Sequence, residues 1–164
     1  MAESPPPKLM ISDLTELLCW YETNLCAASL CDPRGHRVKF DPERFAYLIK
    51  LRSKQGRKLS KPAKVADRIR RGCATNQDFG GFDPERAQTL SWLPSMVLRP
   101  TIIATNPHLF VPGEELYVKE FEKPGYRYKV LVCKRVGPRL LVPVSSFPRG
   151  KLKLLKENIL WPKN

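Results

Sequence analysis

Apolar residues at Leu14, Leu17, Leu18, Tyr21 and Leu25 recur at helical spacing and predict a first helix running to about Cys26 or Ala28. Ser12 reads as its N-cap, with Asp13 and Glu16 near the positive end of the dipole. Asp32-Pro33-Arg34-Gly35 has turn chemistry, and Arg37 to Phe40 alternates as a short strand. Phe40-Asp41-Pro42-Glu43-Arg44 recurs as Phe82-Asp83-Pro84-Glu85-Arg86, two helix starts of one design in which Asp can cap and Pro suits the first turn. The first carries Phe45, Leu48 and Ile49 inward; the second carries Ala87 and Leu90 and is expected to end near Pro94. Between them, Pro62 to Arg71 predicts a helix with Val65, Ala66 and Ile69 as its apolar stripe and Gly72 as its stop. Ser53 to Lys61 reads as a mobile loop.

After Pro94 the period falls to two. Thr101 to Ala104, Glu115 to Glu122, Tyr126 to Arg135 and Arg139 to Val144 alternate as strands. Asn106-Pro107, Lys123-Pro124-Gly125 and Gly137-Pro138 supply the breaks between them. The expectation is an α+β fold, N-terminal helices packed on a C-terminal four-stranded antiparallel sheet, with one sheet face solvated and polar. Residues 1–11 are expected to be a disordered Pro-rich tail and 12–164 a single domain. The stretch from Arg149 onward is basic and amphipathic, with Leu152, Leu155, Ile159 and Trp161 available to dock.

Charge changes this picture more than composition does. Lys and Arg number 29 against 16 acids, a net charge of +13. Such an excess favours association with phosphate backbones or anionic surfaces and adds nothing to the fold. It is also clustered. Lys50, Arg52, Lys54, Arg57, Lys58, Lys61, Lys64, Arg68, Arg70 and Arg71 face a single acid, Asp67, within that stretch. No apolar run reaches the roughly 20 residues of a membrane span, and the start lacks a signal-peptide pattern. Cys19, Cys26, Cys31, Cys73 and Cys133 include no CxxC pair and are expected as reduced, mostly buried thiols of a cytoplasmic protein.

Catalytic chemistry is sparse. His36 and His108 are isolated and read as turn residues, and no ligand-like carboxylate pair supports a metal or other cofactor. Walker, GxGxxG and GxSxG motifs are absent. What remains is a sheet with Lys119, Lys129, Arg135, Arg139, Ser145 and Ser146 on or just after its strands. Metal-free RNA cleavage needs a base for the 2′-OH, a cation for the developing charge and an acid for the leaving oxygen.

Four segments in order resemble the phage-type members of the barnase, EndoU, colicin and RelE-like nuclease superfamily. They are Val38 to Leu51, Thr89 to Pro94 followed by Arg99-Pro100, Glu115 to Phe121, and Val144-Ser145-Ser146-Phe147-Pro148, together spanning about residues 37 to 148. The resemblance implies metal-independent endoribonuclease activity by 2′-OH transesterification, often as a toxin paired with an acidic antitoxin. It makes Lys119 the transition-state cation, with Ser145 and Ser146 hydrogen-bonding the scissile phosphate and Tyr47 or Arg135 assisting. Related sequences often carry His where this chain has Tyr47, whose ordinary pKa of about 10 suits an acid or a stacking surface better than a base. That departure keeps a second reading open: an RNA-binding protein retaining the fold with a degenerate site. In either reading RNA lies across the exposed sheet face, Lys129 and the cations from Lys50 to Arg71.

Overall fold

The computed structural model describes residues 2–106, 113–122 and 127–163. His108 and the Lys123-Pro124-Gly125 break lie outside the described residues. The chain folds as two compact units, each assembled from separated segments: Met1–Pro7, Ser29–Lys39 and Trp92–Asn164 in one, Lys8–Ala28 and Phe40–Ser91 in the other.

The second unit is helical. Helix α1 (Leu14–Tyr21) buries Leu14, Leu17, Leu18 and Tyr21, and one wider turn then carries the chain to Cys26 with Leu25 inward. Its N-cap is Asp13, one residue later than expected, accepting from the Glu16 N–H at 3.0 Å. Asn76 adds a second cap from afar, accepting from the Leu14 N–H and donating to the Ser12 carbonyl, both at 2.8 Å. Tyr21 packs on Phe45 with ring centroids 5.4 Å apart and donates its hydroxyl to the Asp41 carbonyl at 2.7 Å.

The repeated helix starts diverge. Asp83 caps α4 (Pro84–Gln88) through the Glu85 and Arg86 N–H groups. Asp41 makes no side-chain cap, and a tight turn at Pro42–Arg44 leads into the short α2 (Phe45–Leu48). Helix α3 (Val65–Arg70) buries Val65, Ala66 and Ile69, and Gly72 beyond it has φ +75°, as its role as stop requires. The loop expected to be mobile is closed instead. Arg52 bridges Lys58, the Ser53 N–H donates to the Arg57 carbonyl at 2.9 Å, and Gly56 turns the chain at φ +74°.

Among the described residues the first unit is built on a seven-stranded sheet rather than four strands, in the order β1-β2-β6-β5-β4-β3-β7. The strands are β1 (Leu30–Cys31), β2 (Arg37–Val38), β3 (Ile102–Thr105), β4 (Glu114–Glu120), β5 (Tyr128–Gly137), β6 (Leu140–Arg149) and β7 (Ile159–Trp161). Antiparallel pairing dominates, but β2 runs parallel to β6, matching Arg37 with Leu140 and Val38 with Leu141. The additions come from the segment between α1 and α2 and the segment after the meander. The alternation at Arg37 to Phe40 was legible as a strand, but not its place in this sheet; β1 and β7 are too short to show a period of two.

Pro94 starts a helix rather than ending one: α5 (Leu93–Leu98) carries it in the first turn and packs against β1 and β4. Residues 2–7, expected as part of a disordered tail, join this unit. Glu3 bridges Phe121, and the Trp92 indole donates to the Pro6 carbonyl at 2.7 Å.

The centre of the sheet is buried on both faces, which corrects the expectation of a solvated polar face. Tyr117, Leu131 and Cys133 are inaccessible on one side. Leu116, Val118, Val130 and Val132 form an apolar cluster on the other, packed by Phe147, Leu152 and Leu154. Residues 152–154 cover what an open sheet would leave to water.

Candidate functional site

Lys119 sits on β4, only 4% exposed. Its ammonium donates to the Arg99 carbonyl and pairs with Glu3 at 3.0 Å. The residue in register with it on β5 is Lys129, which is 0% exposed. Two lysines directly opposite would repel; the Glu3 carboxylate beside Lys119 offsets this, and the same contact holds its own pKa below the usual carboxylate range. Both cations are structural in this arrangement, since neither presents its charge to solvent.

Ser145 and Ser146 do not act together beside Lys119: Ser146 shares its sheet face two strands away, and Ser145 projects from the other. In β6 they pair with Val132 and Leu131 respectively, and successive strand positions project to opposite faces. Ser146 is 3% exposed and its Oγ finds no hydrogen-bond partner among the described residues. Ser145 lines an apolar slot of about 530 Å³ between the sheet and residues 151–154. Tyr47 belongs to the helical unit, 40% exposed, with the Arg44 guanidinium 4.2 Å from its ring centroid.

Arg135 anchors a polar cluster that sequence reading missed. Its Nε and Nη2 pair with Glu115 Oε2 at 2.7 Å, Nη1 donates to the Gly137 and Pro138 carbonyls, and Nη2 lies 3.0 Å from His36 Nδ1. All five N–H vectors of the fork are thereby used. Arg34 pairs with Asp32 Oδ2 and Glu115 Oε1, each at 2.8 Å.

Asp32 Oδ2 also accepts the Tyr117 hydroxyl at 2.6 Å, while Oδ1 takes the Arg34 and His36 N–H groups. Burial pushes the Asp32 carboxyl up, but the donors around it, Arg34 first, hold it below the usual range. Burial, then the charge of Arg34, keeps His36 below its ordinary value. With Arg135 donating to Nδ1, the ring proton of a neutral His36 sits on Nε2. Two guanidiniums against two carboxylates make the cluster self-neutralised. Asp32-Pro33-Arg34-Gly35 was legible as a turn, but Glu115 and Tyr117 lie more than 80 residues away along the chain and no local signal links them.

The basic stretch is sorted by its ion pairs. Arg70 grips Glu22 through Nε at 3.1 Å and reaches Asp67 at 3.5 Å, and Arg71 pairs with Asp67 at 3.2 Å. Lys50, Lys54, Arg57, Lys58, Lys61, Lys64 and Arg68 are exposed and Arg52 half-buried, and among the described residues none of these eight makes an ion pair. Around α3 the cations therefore divide by pairing. Arg70 and Arg71 are matched by Glu22 and Asp67. Lys61, Lys64 and Arg68 make no ion pair among the described residues.

Arg68 lies in α3, Lys64 in the tight turn that leads into it and Lys61 just before that turn, and the three line one shallow cavity. A set of unpaired cations can neutralise consecutive phosphates without competing internal acids. Comparison with protein-family models, with curated proteins and with solved structures finds no match for this chain.

Proposed function

We propose that the protein binds RNA without cleaving it, through the exposed cations of the helical unit, with Lys61, Lys64 and Arg68 at the centre of the contact. The observation that carries this reading is the sorting of charge around α3, which leaves Lys61, Lys64 and Arg68 unpaired beside one cavity. It is supported by what happens to the expected catalytic groups. Lys119 is buried on Glu3, Ser145 and Ser146 face opposite ways, and the Arg135 fork is saturated. A cation whose donors are all engaged has none left for a developing phosphorane.

The test is retardation of total RNA in EDTA at rising salt. Retarded, intact RNA is expected, and Lys64→Glu with Arg68→Glu should weaken it at least tenfold. Unchanged binding in that variant overturns the assignment of the surface.

A metal-independent endoribonuclease, of the nuclease superfamily that the sequence resembles, is the second reading. One observation favours it: a neutral, half-exposed His36 beside Arg34 and Arg135. In that reading His36, once Arg135 releases its Nδ1, would take the 2′-OH proton and Arg34 would stabilise the phosphorane, roles that fall on neither Lys119 nor the serines. RNA cleaved in EDTA, and left intact by His36→Ala, would establish it.

A further inference from the structure

Beside the start of α3 lies a cup of about 360 Å³. Leu59, Val65 and Phe79 form its apolar floor, and Lys61, Lys64 and Arg68 stand around its rim. Phe79 is 8% exposed, so it gives the floor a fixed aromatic edge rather than a free ring. The Ser60 side chain, exposed at the mouth, adds a hydroxyl.

The volume is at the small end of the roughly 300–1,000 Å³ of small-ligand sites, room for one nucleotide unit and far too little for a helix. An apolar floor ringed by cations matches the two ends of such a unit, a base that gains by leaving water and a phosphate that gains by meeting charge. Only an unstacked base can reach the floor, because a duplex keeps its bases stacked and presents backbone alone.

We propose that this cup takes a single splayed nucleotide, making single-stranded RNA the preferred ligand. The inference rests on the RNA-binding reading above and adds strand preference to it. The floor accepts the base edge-on against Phe79, and the rim cations hold the phosphates on either side. Because the floor offers apolar contact and no buried donor or acceptor aimed at a base, it selects unpaired strands over duplex and not one sequence over another.

Fluorescence anisotropy with three probes separates the two claims: a short labelled RNA, the same RNA annealed to its complement, and labelled heparin. The intact protein is expected to bind the single strand about tenfold more tightly than the duplex, because only an unpaired base can leave water for the apolar floor. Ser60→Trp, which fills the mouth from an exposed position, should abolish that preference while leaving duplex and heparin binding unchanged. Should its circular dichroism show misfolding, Lys61→Glu serves instead and should weaken single-strand binding more than duplex binding.

Equal affinity of the intact protein for both strands, or a preference that survives Ser60→Trp, overturns the cup and leaves the surface standing. If Lys64→Glu with Arg68→Glu alters binding to none of the three probes, the surface itself is overturned.

Discussion

Truncating Asp32 to Ala leaves Arg34, the Tyr117 hydroxyl and the Arg34 and His36 N–H groups without their shared acceptor. A buried charge deprived of its partner is costly, and a loss of about 3 kcal/mol is expected in urea denaturation. The same carboxylate sets a pH dependence. Its folded-state pKa lies below the unfolded one, so its contribution is present above the unfolded value of about 4 and is lost as pH falls through the folded value. Denaturant midpoints measured from pH 6 downward should fall through the acid range, and Asp32→Asn should flatten that part of the curve. Lys119→Met keeps the buried stem and removes the ammonium; it is expected to shift stability while leaving RNA affinity within twofold. Cysteines were misjudged at this scale. Cys19, Cys31 and Cys73 are exposed, and only Cys133 is buried, its thiol pushed up by desolvation. Cys19 lies off the buried stripe of α1, which is why a small apolar residue there meets water. A thiol reagent should label those three rapidly in the native protein and reach Cys133 only on unfolding.

Elements were legible where one face meets the core. The stripes of α1 and α3 follow directly from burial, whereas β4 and the first half of β5 are buried on both faces and showed as strands through residue type and flanking turns. What escaped reading depends on partners far away along the chain. Asn76 caps α1 across 62 residues, Glu22 neutralises Arg70 across 48, and β2 finds β6 a hundred residues later. For the candidate surface this matters, because the sequence counts ten cations between Lys50 and Arg71 while the ion pairs remove Arg70 and Arg71 from it. Substituting Arg71 by Glu should therefore weaken RNA binding less than substituting Arg68. Losing both Lys64 and Arg68 should lower the slope of log K against log salt by about 1.4 on a single strand. The closed turn at 53–57 supports the same surface. A Cβ on Gly80 would stand 2.2 Å from the Ser53 carbonyl oxygen. Gly80→Ala is expected to cost about 2 kcal/mol, as other overpacked sites do, and to weaken RNA binding through the displaced turn.

At the scale of the whole molecule, a charge of +13 makes every affinity a function of ionic strength. Binding measured at one salt concentration cannot separate the candidate surface from the remaining cations; the slope across several can. Among the described residues no helix is long and apolar enough to cross a membrane.

The parallel match of Arg37 and Val38 with Leu140 and Leu141 carries one more consequence. On the ribosome, the first two strands of the sheet emerge about a hundred residues before the strand that receives them, and the larger segment of the helical unit, Phe40–Ser91, is synthesised in the interval. Those early strands must wait, unpaired along that edge, until translation is nearly over. Completion of the sheet is thus a late event tied to the far end of the message, and a chain released early is left with its first strands exposed to neighbours of the same kind.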